Sequence, residues 1–193
     1  MAEKALANSS YETYLALEAE SDTKYEFHDG FIVAMAGGTP AHSQLGANIV
    51  RFMGNALDAA GKPYRVFNSD LKVRIDAMNR TFYPDASVVC EEPQVSDKDP
   101  HAVINPVLIV EVLSDSNEKY DRGEKFNYYR QLPSFQEYIL VHQNMAMVDR
   151  YYRQKGDLWE IKTIRGLDET VELKSLGCAL NMRDLYRLVA GIE

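Results

Sequence analysis

The chain of 193 residues carries 29 acidic against 21 basic side chains, a net charge of −8, with 46% hydrophobic and 26% charged residues. That balance suits one globular domain, expected to span 1–193, and it excludes a protein that coats polyanions, which needs a basic surface. A membrane span is excluded too: the long apolar run, 106–113, is far too short for a bilayer and contains Glu111.

In chain order, Ser9-Ser10-Tyr11-Glu12 has the Ser-x-x-Glu form of a helix start, and Tyr11, Tyr14, Leu15 and Leu17 predict a first helix near 10–19. Asp29-Gly30 between 24–28 and 31–35 is a two-residue hairpin signal. Gly37, Gly38 and Pro40 break the chain, after which Leu45, Ile49, Phe52, Met53 and Leu57 recur at helical intervals over 41–59. Residues 65–67 and 71–75, the latter strictly alternating, predict a half-exposed antiparallel pair. Residues 81–90 read as one strand interrupted by Pro84, and the polar 91–106, with three prolines, reads as a loop.

The nearly continuous apolar 107–113 has the pattern of a central strand covered on both faces. Ser114-Asp115-Ser116-Asn117 is placed to cap a helix near 118–131. Strands at 137–142, 146–152 and 158–164, a turn at Gly156-Asp157 and a short helix near 182–189 complete the pattern. The expectation is an α/β (α+β) domain with a mixed sheet and flanking helices. Cys90 and Cys178 lack CxxC spacing, and the first residues lack the basic start and apolar run of a signal peptide. A cytoplasmic protein with reduced thiols is therefore expected.

Glu111 is the most informative residue. A carboxylate inside Leu-Ile-Val-Glu-Val-Leu is costly to bury without a metal ion, a cation partner or a cleft on that face. Pro84 cannot donate to a ladder, so it marks a strand start, edge or bulge that re-aims the next side chain, Asp85. Two such carboxylates on neighbouring strands make an oxygen site suited to Mg²⁺ or Mn²⁺.

Lys125 lies on the helix after the Glu111 strand, at helical spacing from Asp121, Arg122, Tyr128 and Tyr129. A helix folding back over that strand returns its ammonium to the metal, where it could orient or help deprotonate water and offset charge at phosphorus. Glu26, beside the hairpin, is a candidate further acid of the metal shell. His42, at the start of the second helix, is a candidate for facing a substrate phosphate. Each reads equally well as a surface or capping group. No HxH, HExxH, Walker, GxGxxG or GxSxG arrangement is present.

These residues resemble the PD-(D/E)xK nuclease superfamily, whose fold is restriction-endonuclease-like, and more closely the Uma-type family of endonuclease-like proteins. The resemblance runs through Tyr25-Glu26-x-x-Asp29-Gly30, Met35, His42, Tyr83-Pro84-Asp85, Val110-Glu111-Val112-Leu113-Ser114, Tyr120-Asp121-Arg122-Gly123-x-Lys125, Tyr128 and Glu137-Tyr138. It implies Mg²⁺ or a similar ion on Asp85 and Glu111, with Glu26 as an extra acid. Leu113 stands where the superfamily lysine would be, and Lys125 matches members whose lysine has moved to the following helix.

The expected function is a metal-dependent endonuclease hydrolysing phosphodiester bonds in DNA. The alternative is a catalytically silent nucleic-acid-binding or protein-interaction module; a small-molecule phosphoesterase would share the site. Restriction-like enzymes often pair two sites, so a homodimer is plausible, with Tyr151, Tyr152 and Trp159 as interface or, equally, as core.

Overall fold

The computed structural model describes residues 5–192. It opens with β1 (Ala5–Leu6) and α1 (Tyr11–Glu20), whose N-cap Ser10 accepts the Thr13 amide at 3.2 Å. β2 (Tyr25–His28) and β3 (Phe31–Ala34) form the hairpin that Asp29-Gly30 signals, with positive φ at both turn residues, 47° and 93°. α2 (Pro40–Ala59) begins at Thr39, whose hydroxyl accepts the His42 amide at 3.1 Å, and Pro40 sits in the first turn, where its missing N–H costs nothing.

Seven short strands follow: β4 (Arg65–Asn68), β5 (Lys72–Ile75), β6 (Arg80–Phe82), β7 (Ala86–Val89), β8 (Val95–Ser96), β9 (Asp99–Val103) and β10 (Leu108–Leu113). The helical region is α3 (Glu118–Tyr120), a π-helical turn (Asp121–Lys125) and α4 (Phe126–Tyr129). β11 (Glu137–His142), β12 (Met147–Arg153), β13 (Trp159–Arg165), β14 (Thr170–Leu173), β15 (Cys178–Asn181) and α5 (Met182–Leu185) complete the described chain.

Among the described residues the strands make three sheets. The first runs β1-β3-β2-β6-β5-β9-β8, the second β13-β12-β11-β10-β7-β4, and β14-β15 is a separate hairpin. In the second sheet β10 is central, parallel to β11 and antiparallel to β7. Both larger sheets are mixed, because β5 and β9 are also parallel.

Three sequence expectations need correction. β4 and β5 are not a pair: β4 joins β7 in the second sheet, while β5 lies between β6 and β9 in the first. Nor is β5 half exposed. Its alternating cations point inward, Lys72 onto Glu18 and Asp99 and Arg74 onto Asp76 and Asn79, so charge alternation marks paired burial. The presumed single strand 81–90 is two strands in different sheets, joined at Tyr83-Pro84-Asp85. The presumed loop 91–106 contains β8 and β9. The first-helix, hairpin, second-helix, central-strand and C-terminal-strand expectations match the observed elements closely.

The alternation of β10 explains its apolar run. Leu108, Val110 and Val112 pack into a core with Leu45, Ile49, Met53 and Leu57 of α2. Ile109 and Leu113 face a second core, built from Val73, Ile75 and Phe82 of the first sheet, Phe126 and Tyr129 of α4, and Tyr138, Leu140 and Tyr151. Both faces are covered, so hydrophobic residues occupy both. Glu111 shares the period-two face of Ile109 and Leu113 and therefore points into the layer between the sheets. Tyr151 is buried in that layer and Trp159 packs against it, both through edge contacts with Phe126.

Candidate active site

Asp85 arrives at the site because the chain changes sheets there. The β7–β10 ladder ends at Ala86↔Val110. The Asp85 carboxylate takes up where the ladder stops: Oδ2 accepts the Val112 amide at 2.7 Å, and Oδ1 is 2.8 Å from His42 Nε2. A backbone amide beside Glu111 and a side chain from the first turn of α2 thus fix its orientation. His42 in turn lies beneath Gly38, where an added Cβ would meet the imidazole ring at 3.0 Å. A side chain at position 38 would press on that ring.

Glu111 is 3% exposed. Its Oε1 lies 2.7 Å from Lys125 Nζ and accepts the Tyr129 hydroxyl at 2.8 Å. Lys125 is a hub. Besides Glu111, Asp121 Oδ1 lies 3.7 Å and Glu26 Oε1 3.9 Å from its ammonium, which also stands 5.5 Å from the centre of the Phe82 ring. The π turn carries Asp121 and Lys125 inward together, and the buried Tyr138 hydroxyl donates to the Asp121 carbonyl at 3.2 Å. Such turns recur at functional sites. Glu26 accepts the Tyr83 amide through Oε1 at 3.2 Å and meets His28 Nε2 through Oε2 at 2.9 Å.

Burial raises the Glu111 carboxyl well above its ordinary range, with Asp121 and Asp85 adding to the rise against Lys125. Burial also pushes Asp121 up, to about 6, with Glu26 and Asp85 adding to the rise and Lys125 opposing it. For Glu26 burial is outweighed by Lys125 and His28, and its carboxyl is lowered. Burial alone would drive Lys125 down, but Glu111, Glu26 and Asp121 hold it well above the usual lysine range. These carboxylates favour the charged form of Lys125. The hydrogen bond to Asp85 raises His42 against the effect of burial.

Of the five sequence candidates, Glu26, Glu111 and Lys125 meet in one cluster, while Asp85 and His42 form a pair beside it, anchored to the amide of Val112, the residue after Glu111. His42 is turned toward Asp85 and holds a carboxylate. Asp121, Tyr129 and His28 join the site beyond the residues expected from sequence. For Asp121 a signal existed, since it lies four residues before Lys125 on the same helical face.

Among the described residues no three His, Cys, Asp or Glu side chains are gathered as a ready metal-holding group. The donors nonetheless fit a hard cation. Both contacts of Glu111 fall on Oε1, the carboxylates are oxygen donors, and buried Asp121 Oδ2 has no hydrogen-bond partner among the described residues. Mg²⁺ typically takes one or two carboxylates and keeps its remaining waters, which Asp85 and Glu111 suffice to provide.

Comparison with known proteins bears on the fold and the family. Two Synechocystis proteins, both described as uncharacterized, are 35% identical over 159 residues (82% of this chain, 89% of theirs) and 36% identical over 181 residues (94% and 93%). A crystal structure described as a "putative nuclease" from Anabaena variabilis matches with a TM-score of 0.71 at 18% identity, covering 91% of this chain and 96% of that one. The shared fold is restriction-endonuclease-like, a mixed sheet with flanking helices. The profile of the Uma2 family, described as "Putative restriction endonuclease", matches residues 11–183, a span from the first helix into the last, and the chain belongs to that family.

Proposed function

We propose that this protein is a metal-dependent endonuclease that hydrolyses phosphodiester bonds in DNA. The observation that carries the reading is Glu111, a carboxylate buried between two sheets beside a lysine ammonium, with Asp85 delivered to the adjacent backbone by a break in the neighbouring strand. The family's description as a restriction endonuclease and the solved neighbour's as a nuclease favour the same activity.

Asp85 and Glu111 would hold Mg²⁺ or Mn²⁺, which, when bound, polarises the phosphate and lowers the pKa of its water. The remaining work belongs to the chain. Lys125, kept charged by three carboxylates, offsets negative charge developing at phosphorus and orients the attacking water. His42 and the Val112 amide hold Asp85 in one rotamer, and Tyr129 does the same for Glu111.

The decisive experiment is Mg²⁺-dependent nicking of supercoiled plasmid by purified protein. Wild type should nick, while Asp85→Ala and Glu111→Ala should not. Undiminished activity in both variants would refute the assignment. The net charge of −8 favours a second reading, a silent binding module, because phosphate attraction over the whole surface is weak. That reading requires no change in thermal stability on adding Mg²⁺ or Mn²⁺.

A further inference from the structure

We propose that Arg80 is a phosphate-binding residue, placed to receive the DNA backbone phosphate that flanks the one being cut. The proposal rests on the endonuclease reading above and adds to it a substrate contact outside the metal-binding pair.

Arg80 opens β6 opposite His28 of β2, and its side chain shares the period-two face of Phe82. The Phe82 ring lies 5.5 Å from the Lys125 ammonium, and Arg80 stands about 7 Å further along the strand. Its guanidinium is 3.9 Å from the centre of the Tyr128 ring, which anchors the planar group over an aromatic face. The same wall continues through stacked rings: Phe82 on Tyr128 at 6.1 Å, and His28 on Tyr120 at 6.1 Å.

This wall supplies no acid for Arg80. The buried cations of the chain each have one: Lys72 has Glu18 and Asp99, Arg74 has Asp76, Lys125 has Glu111 and Arg150 has Glu160. Half-buried Arg80 has neither an ion pair nor a side-chain hydrogen bond among the described residues, in a chain whose net charge is −8. Its Nε is buried without a partner, and so is the Tyr120 hydroxyl. Burial raises that hydroxyl and Glu26 adds to the rise, while Lys125 and Arg80 oppose it, so Tyr120 links Arg80 to the site. Unmatched polar groups on one wall call for a partner from outside the fold. With Nε walled in, the two terminal nitrogens remain, and their paired N–H donors fit two oxygens of a phosphate. The separation from Lys125 assigns Arg80 to a flanking phosphate and not to the scissile one.

The test measures binding of a fluorescently labelled DNA duplex by anisotropy, in EDTA across a NaCl series, together with KM and kcat for nicking in Mg²⁺. Arg80→Gln is expected to weaken binding about tenfold at low salt and to raise KM with kcat unchanged. Its plot of log affinity against log salt should be shallower by about 0.9, the slope of one lost phosphate contact. Arg80→Lys keeps the charge and should keep the slope while recovering part of the affinity. Tyr128→Leu removes the ring beneath the guanidinium and should raise KM alone, whereas Tyr128→Phe should match wild type.

An unchanged slope and KM in Arg80→Gln, or a loss confined to kcat or to melting temperature, would overturn the inference and leave the endonuclease reading standing. Should Arg80→Gln not fold, an unchanged KM in Tyr128→Leu would overturn it equally. Binding with an Arg80-dependent slope but no nicking would keep the phosphate contact and overturn the endonuclease reading. A wild type that neither binds nor nicks DNA would overturn both.

Discussion

Tyr129 donates its buried hydroxyl to the same Glu111 oxygen that Lys125 approaches, at 2.8 and 2.7 Å. The last helical turn before the chain re-enters the sheet thus holds the central carboxylate from one side while the π turn holds it from another. Tyr129→Phe keeps the ring and its packing against Phe82, Phe135 and Tyr138. It leaves the carboxylate one donor short, for a loss of about 1–3 kcal/mol. Urea denaturation should show that loss with an unchanged slope, and nicking should fall with it.

His42→Ala tests the hold on Asp85. The substitution removes the partner of Oδ1 and leaves the Val112 amide on Oδ2. Groups that orient metal-binding carboxylates typically account for about 10–100-fold in metal affinity. The Mn²⁺ concentration that half-saturates the protein should rise by that factor, with the fold intact by circular dichroism. Unchanged saturation would mean that His42 serves the substrate alone.

Lys72 lies away from the candidate site, between Glu18 at 3.0 Å and Asp99 at 2.7 Å, with all three side chains largely buried. Burial raises the Asp99 carboxyl, yet Lys72 and the His101 amide outweigh it and the net shift is downward. Lys72→Met leaves two buried carboxylates uncompensated and should destabilise the protein by about 3–5 kcal/mol. A double replacement, Lys72→Met with Asp99→Asn, should recover part of the loss.

Asp149 sets an acid limit on stability. Burial alone would raise its carboxyl, but His142, the Thr163 hydroxyl and Arg122, 2.6 Å away, hold it well below the usual range. A depressed acid stabilises the fold above its unfolded value, about 3.9, and that contribution is lost as pH falls further. Asp149→Asn should therefore be less stable than wild type at pH 7, and the gap should begin to narrow below about pH 4. Urea midpoints from pH 7 to pH 3 would show it; a gap independent of pH would contradict the sign.

Much of the site could be read from the sequence because its residues break local rules. Glu111 violates an apolar run and Pro84 violates a strand, and the two anomalies come together just beyond the end of the β7–β10 ladder, where Asp85 accepts the Val112 amide. Asp121 breaks no local rule: on a polar helix segment it looks solvated, and only the π turn and the Tyr138 hydroxyl reveal that it is buried. The sheet assignment of β4 and β5 was illegible for a similar reason. Pairing depends on where the chain crosses between layers, and the Asn68-to-Leu71 turn resembles a hairpin connection while leading into another sheet.

That crossing has a final consequence. Glu26 stands on the first sheet and Glu111 on the second; Asp85 sits on the bridge between them, and Lys125 on the helix packed over both. No contiguous fragment short of about residues 26 to 125 carries the whole centre. A nascent chain ending at β9 holds every strand of the first sheet together with Asp85, yet lacks Glu111 and Lys125. Any cutting activity is therefore withheld until the layers have closed, so a polypeptide still emerging or misassembled carries no complete blade.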